Sequence, residues 1–388
     1  MKKLLSLILA SAFILALATG CSSDSSDETE EETEETEEAE EAEEEEEETE
    51  AEEAEEAEET EEDSEEEDSE EEEEESSDDD HYPVTITTYN YDKEEIEVTF
   101  DSCPTRVVCT NQTQTEIMLY FGLDEYIVGT AYLDGDIRED LQDQYDQLVE
   151  DGKELTVVGY PDKETVLALE PDFIFGWRSA FAEDSLGDVS EWNDLGIGTM
   201  ILRCSNNTAE DLSVDSVLAD IADIGAIFNI EDQTDAYIEE ANATLDEIEA
   251  TVAELEEDEV LNVLMLEFES DGTWYAWPSN CLTGSLCESA GAVNLETEGA
   301  DVSVEDIINY NPDAIIIDYY EGQYGDDYDE EEAIAAAIET LTSESSLAEV
   351  PAVANDMIMG INLTDVYAGG IRIIPAIESM YEFLYGEE

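Results

Sequence analysis

The chain has 388 residues, with 112 Asp and Glu against 10 Lys and Arg, for a formal net charge of −102. A field of that sign excludes nucleic acid and anionic membrane surfaces as partners, since both are polyanions. With one histidine and no C-x-x-C spacing, a zinc ribbon or a thioredoxin-type site is excluded as well.

Residues 1–20 read as an export signal. Lys2 and Lys3 precede an apolar run over 4–18, too short for a comfortable membrane span and ending in small residues. Leu17-Ala18-Thr19-Gly20-Cys21 has the form of a bacterial lipobox, with Ala18 where Leu is more usual, and makes Cys21 the expected lipidated residue. The alternative is an ordinary secretory signal with an incidental cysteine. No twin arginine is present, so the export route reads as Sec.

Residues 21–80 follow as a tether. From Asp24 to Asp80 there are 41 acidic residues and no basic one. Such a segment buries too little apolar surface to offset the ordering of its backbone, so it is expected to be disordered and extended by self-repulsion. Its upper reach is about 190 Å at ~3.3 Å per residue. A spacer of that length suits a protein lifted off a cell membrane through a thick wall, as in a Gram-positive-type envelope.

The remainder, 81–388, is long enough for two lobes with their own cores, and still carries 71 acids against 8 bases. Short apolar runs predict strands over 84–88, 96–100, 106–109, 126–129, 155–159, 172–175 and 199–202. Helical stretches between them give a mainly parallel α/β sheet. Thr113 and Glu116 have capping-box spacing ahead of a helix over 117–121 that Gly122 ends. Ile238, Ala241, Leu245, Ile248, Val252 and Leu255 recur at spacings of 3 and 4, which predicts one helix over 231–256, about 39 Å long at 1.5 Å per residue. A coiled-coil dimer is the competing reading of that stripe. Beyond it, strands are expected over 260–266, 314–318 and 357–361, and helices over 285–290 and 371–384. The expected division is an N-terminal lobe 81–230, a connecting helix 231–257 and a C-terminal lobe 258–388: α/β, two lobes joined by a single long helix.

One pattern occurs twice. Glu164-x6-Pro171-Asp172 and Glu305-x6-Pro312-Asp313 are each followed by an apolar run. In each copy a short helix starts near the Glu, Pro ends it, and a buried strand follows. Five cysteines remain besides Cys21. Cys103 and Cys109, like Cys281 and Cys287, are close enough in sequence to bridge locally, and the odd count leaves at least one thiol unpaired or pairing between chains.

Several stretches from Tyr82 onward carry a family resemblance: Pro104-Thr-Arg-Val-Val, Phe121-Gly-Leu-Asp-Glu-Tyr-Ile-Val-Gly129, the two E-x6-P-D copies, Ala290-Gly-Ala-Val-Asn294 and Val350-Pro-Ala-Val353. In this order, over about 300 residues, the chain resembles the ferric-siderophore, haem and cobalamin binding proteins of bacterial ABC importers (class III periplasmic-binding-protein-like). The resemblance implies two lobes bridged by one helix, with the ligand between them. It also implies one Glu per lobe docking on an ABC permease dimer with its ATPase subunits, here Glu164 and Glu305. The bland reading of each Glu is a helix N-terminal charge.

The cargo is then an iron chelate (siderophore or haem) or cobalamin, with no cofactor of the protein's own. A bare transition-metal ion is disfavoured because the lone His81 lies at the tether junction. A chelate or macrocycle needs aromatic walls and a few polar anchors. Trp177 and Arg178 in the first lobe, and Trp274, Trp277, Tyr319 and Tyr320 in the second, are candidates at strand ends, joined by Arg372. Arg178 and Arg372 are the expected anchors for an anionic chelate. The segment 318–329 reads either as a lid over the cleft or as a solvated insertion. No G-x-S-x-G, Walker loop or catalytic histidine is present, so an enzyme is not expected. A hydrolase and a structural or adhesive surface lipoprotein are the alternatives.

Overall fold

The computed structural model describes residues 81–206, 212–257, 259–269, 272–320 and 329–386. The leader 1–20, Cys21, the acidic tether 21–80 and most of the segment 318–329 lie outside the described residues. Strands β1 (Val84–Tyr89) and β2 (Glu95–Phe100) form an antiparallel ribbon. The first sheet is all parallel, in the order β5-β4-β3-β6-β7, from β3 (Val107–Cys109), β4 (Ile127–Ala131), β5 (Glu154–Thr156), β6 (Phe173–Gly176) and β7 (Gly198–Ile201). Its connections carry α1 (Gln112–Tyr120), α2 (Gln142–Glu150), α3 (Lys163–Ala168) and α4 (Val189–Asn193). Helices α5 (Val214–Phe228) and α6 (Glu231–Val252) then pack on each other before the second sheet begins. In α6 the buried residues are Thr234, Ala241 and Ile248, seven apart, which makes a narrow stripe on a polar helix.

The second sheet runs β11-β9-β8-β12-β13, with the two-residue β10 (Val293–Asn294) beside β8. β8 (Asn262–Glu269), β12 (Ala314–Tyr320) and β13 (Ile358–Gly360) are parallel, while β9 (Trp274–Ala276) and β11 (Ala300–Val302) run antiparallel at one edge. Its helices are α7 (Leu282–Ser289), α8 (Val304–Tyr310), α9 (Glu330–Ser343), α10 (Pro351–Ala354), α11 (Leu363–Val366) and α12 (Ile373–Tyr385). The fold is thus the α/β class expected from the sequence.

Strand alternation sorts the cores. In β3 and β6, Val107, Cys109, Phe173 and Phe175 point to a core shared by both sheets, and Val108 and Ile174 point outward. In β8 and β12, Val263, Met265, Ala314 and Ile316 join the shared core, and Leu264, Leu266, Ile315 and Ile317 form the outer core of the second sheet. Period-two geometry makes each sheet apolar on both faces.

The repeated motif builds the same corner twice. The residue before Pro, Glu170 in one copy and Asn311 in the other, adopts a left-handed conformation, with φ of 48° and 50°. That ends the helix while still avoiding the right-handed region Pro disfavours. The Asp after Pro ties down the neighbouring strand. Asp172 accepts from the Thr105 and Arg106 amides and the Thr105 hydroxyl, at the entry to β3. Asp313 accepts from the amide and side chain of Asn262, which opens β8. Glu164 and Glu305 are each the second residue of their helix, exposed, and without a side-chain partner among the described residues.

One local expectation fails, and one open question closes. Thr113 and Glu116 form no capping box: α1 starts earlier, at Gln112 after Asn111, and both residues are buried inside it. Glu116 instead takes a bidentate ion pair from Arg372 across 256 positions, Nε to Oε2 at 2.7 Å and Nη2 to Oε1 at 2.6 Å. Among the described residues Cys103, Cys109, Cys204, Cys281 and Cys287 form no disulfide. Cys109 is buried in β3, Cys287 lies buried in α7 against the Met265 sulfur, and the Cys281 sulfur caps α7 by accepting from the Gly284 amide, so neither local pair forms.

Removing one partner of a buried ion pair strands the other, at a cost of about 3–5 kcal/mol. Arg372→Ala is therefore expected to lower the denaturation midpoint sharply, and Glu116→Leu with Arg372→Met together to lower it much less. Equal losses in the two variants, measured by chemical denaturation, would show that the pair is not what holds this contact.

Candidate functional site

In open parallel sheets, ligands bind beyond the carboxyl ends of strands, where neighbouring connections leave in opposite directions. β3 is flanked by β4 on one side and β6 on the other, so the first sheet has that switch between β3 and β6. Asn111 follows β3, Tyr132 and Asp134 follow β4, and Trp177 follows β6. All four line a cavity of about 370 Å³, together with Tyr160 and Ser179. The far wall comes from the second sheet and the C-terminal segment: Glu267 at the end of β8, Trp277 just after β9, and Leu363, Thr364, Tyr367 and Ala368 in and after α11. A second cavity of about 590 Å³ shares Trp177, Glu267, Trp277 and Tyr367 with the first.

The inward rows of the sheets run straight into this space. Phe173, Phe175 and Trp177 alternate along one row, and Val263, Met265 and Glu267 along another. Tyr367 sits between the two tryptophans, its ring centroid 5.8 Å from each. The Trp177 amide donates to the Thr110 hydroxyl at 3.0 Å. The Trp277 indole donates to Asp318 at 3.0 Å. Asp318 is the strand partner of Glu267, so two buried carboxylates stand side by side at the ends of β8 and β12.

The electrostatics are those of an acidic, partly dehydrated site. Asp134 accepts a long 3.4 Å bond from the Asn111 amide. Burial pushes its carboxyl up to about 6, against the lowering effect of that bond. Glu267 is 7% exposed and has no hydrogen bond or ion pair among the described residues. Burial first, and then the charge of Glu269, raise it to about 7. Among the described residues no group of three or more His, Cys, Asp or Glu is placed to hold a metal ion.

The structure therefore brings Trp177 and Trp277 together from opposite lobes, and separates the other candidates from them. Trp274 packs on Phe268, with ring centroids 4.5 Å apart, in the outer core of the second sheet. It and Trp277 are three residues apart on an extended strand, so they face opposite ways. Tyr319 is the strand partner of Phe268 and lies on that same outer face. The side chain of Tyr320 lies outside the described residues. Arg372 is consumed by Glu116, Asp365 at 2.8 Å and the Asp136 carbonyl at 2.7 Å, and lines neither cavity. Arg178 lines the larger cavity, where its guanidinium donates to the Ser205 and Tyr91 carbonyls and lies over the Tyr91 ring. Sequence reasoning missed Asp134, Tyr160, Glu267 and Tyr367. Glu267 carried a usable signal: it is a lone acid at the end of the apolar run Val263-Leu-Met-Leu266.

A two-lobed α/β protein with an aromatic-walled cavity between its sheets belongs to the class of solute-binding proteins. The sequence matches the periplasmic binding protein family over residues 107–362, well over half of the chain, and the chain belongs to that family. This is a family of solute-binding proteins, not enzymes. No curated protein matches it. Among solved structures it is similar to a periplasmic binding protein from Veillonella parvula, at 23% identity and a TM-score of 0.66, covering 79% of this chain and 99% of that one. It is also similar to a protein of an ABC-type Fe3+-hydroxamate transport system from Saccharomonospora viridis, at 18% identity and 0.60, covering 79% and 100%. A periplasmic haem-binding protein from Pseudomonas aeruginosa matches at 19% identity and 0.54, covering 73% and 93%. The likeness drawn from the sequence motifs holds at the level of family and fold.

The raised Glu267 carboxyl has a definite consequence for stability. A carboxyl whose folded value lies above its unfolded value costs stability when ionised. That cost is full above about 7 and is lost as pH falls toward the ordinary value of 4.5. Glu267→Gln is expected to raise the free energy of unfolding at pH 8, by on the order of 3 kcal/mol at most, and the melting temperature with it, and to have little effect at pH 4.5. A variant that is destabilising at pH 8 would contradict this.

Proposed function

We propose that this chain is the capture protein of an ABC importer. It is a lipoprotein held at the outer face of the cell membrane through Cys21. It takes an iron chelate (siderophore or haem) or cobalamin into the cleft between its lobes and delivers it to a permease dimer with its ATPase subunits. The observation that carries this reading is the cavity shared by the two sheets and walled by Trp177, Trp277 and Tyr367. Apolar, aromatic walls with a few convergent polar groups suit a chelate or macrocycle, and cavities of about 370 and 590 Å³ fall in the size range of small-molecule sites. Two of the similar solved proteins, one of an Fe3+-hydroxamate transport system and one a haem-binding protein, support the same cargo class.

Thermal melting of the purified protein against ferric siderophores, haem and cobalamin is the direct test, because a ligand that binds the native state raises its stability by mass action. One member of the panel should raise the melting temperature and quench tryptophan fluorescence, and Trp277→Ala should weaken that binding by about 1–3 kcal/mol. A panel with no shift would sink the cargo assignment.

Delivery is tested in cells. Cys21→Ser is expected to release the protein from the membrane fraction. Glu164→Lys or Glu305→Lys should abolish uptake while leaving ligand affinity intact, because both side chains lie outside the cavities. Normal uptake in both charge-reversal variants would reduce the pair to helix-end charges.

A further inference from the structure

The polar groups of the cavity have the wrong sign for an anionic cargo. Arg178 is the one basic residue lining either cavity among the described residues; it lines only the larger one, and its Nε and Nη1 donate to the Ser205 and Tyr91 carbonyls. Arg372 lies elsewhere, saturated by Glu116, Asp365 and Asp136. Asp134 and Glu267 are the ionisable acids that line the smaller cavity, beside neutral polar groups such as Asn111 and Ser179. Glu267 is nine-tenths buried, continues the inward row of Val263 and Met265, lines both cavities, and has no partner among the described residues. Its neighbour across the sheet, Asp318, is also buried and accepts from the Trp277 indole, so it brings a second acid and no positive charge beside Glu267. Trp177, Trp277 and Tyr367 present ring faces and edges in the same space, and aromatic faces attract cations.

A buried carboxylate without a partner is costly, and an isosteric amide or an apolar residue would serve packing better. The site holds the acid in a position where a ligand's positive charge completes it. We propose that the cleft selects cargo bearing an ammonium group, seated against Glu267 within the Trp177–Tyr367–Trp277 wall and facing Asp134, and rejects anionic cargo. The proposal rests on the reading of the chain as a chelate-binding protein for its cargo class, but its charge rule is separate from that reading. The folded part as a whole, with 71 acids and 8 bases, adds a long-range field of the same sign.

The experiment uses the intact purified chain and a matched pair of ligands. One is a linear ferric trihydroxamate with a free terminal ammonium; the other is the same chelate with that nitrogen succinylated to carry a carboxylate. Butylammonium and butyrate form a second pair without iron. Binding is read by tryptophan quenching and melting shift at fixed ionic strength, for the wild type and for Glu267→Gln, an isosteric change that leaves packing in place. The ammonium chelate is expected to bind roughly tenfold or more tightly than its succinylated twin, and Glu267→Gln to collapse that preference. Equal or reversed preference in the wild type, or a preference untouched by Glu267→Gln, overturns the charge rule and leaves the chelate reading standing. If neither chelate binds, the hydroxamate reading falls and the small pair decides. A melting shift with butylammonium but not butyrate, lost in Glu267→Gln, upholds the rule, and no such shift overturns it.

Discussion

The ion pair between Glu116 and Arg372 is the contact on which the shape of the cleft depends. It joins α1, the first helix after β3, to the turn that opens α12. The carboxylate is 1% exposed. Its Oε1 also accepts from the Arg138 amide at 3.0 Å and from Gln112 at 3.2 Å, and the Arg138 side chain reaches the Ile371 carbonyl. A buried pair of this kind gains little net stability, because desolvating both ions offsets most of their attraction. Its effect is positional. With Arg372 fixed, Gly369 and Gly370 must pass over the first lobe at close range. Both have positive φ, and a Cβ on Gly370 would come within 2.7 Å of the Thr113 methyl. That approach sets down the preceding segment, so Leu363, Thr364, Tyr367 and Ala368 become one wall of the cavity, with Tyr367 between the two tryptophans. Arg372 shapes the site without entering it.

Strand alternation supplies the other half of the geometry. The same face of each sheet that fills the shared core with Phe173, Phe175, Val263 and Met265 delivers Trp177 and Glu267 at its open end. Dry apolar residues upstream hold the chemistry-bearing ones downstream in place, and no separate scaffold is required. The cost falls on Glu267, which a sequence selected for stability alone would replace. Local conflict of this kind, inside a fold that is otherwise consistent from propensity to packing, is where function is expected to sit.

Much of the fold was legible because its signals are local. Apolar runs bounded by turns gave most strands of the parallel core within a few residues, and the 3-and-4 spacing from Ile238 to Val252 gave α6. What escaped depended on distant partners. The Thr113–Glu116 spacing mimics a capping box, but the acid is claimed by an arginine 256 positions away. In sequence, Trp274-Tyr-Ala-Trp277 reads as the end of a strand with both tryptophans available. It is a strand, β9, laid antiparallel on β8, and alternation then sends Trp274 into the outer core with Phe268 and Trp277 to the cleft. Arg178 and Arg372 stand out in the sequence as rare bases in an acidic chain. Rarity makes a base equally attractive to the protein's own carboxylates and carbonyls, which saturate Arg372 and engage Arg178.

The duplicated corner shows how far structure alone accounts for the motif. Asp172 and Asp313 are explained by the strand ends they hold, and Glu170 and Asn311 by the left-handed turn before each proline. Glu164 and Glu305 are not explained in this way. A carboxylate in the first turn gains about 0.3–1 kcal/mol from the helix dipole. Both helix starts are already supplied: Asp162 accepts from the Thr165 amide, and Ser303 forms a reciprocal box with Asp306. A further exposed acid at the same second position of each helix adds little to folding, in a surface already dominated by acids. What the two copies share beyond helix electrostatics is position: each Glu is the second residue of the helix that leads into the same Pro-Asp corner of its sheet.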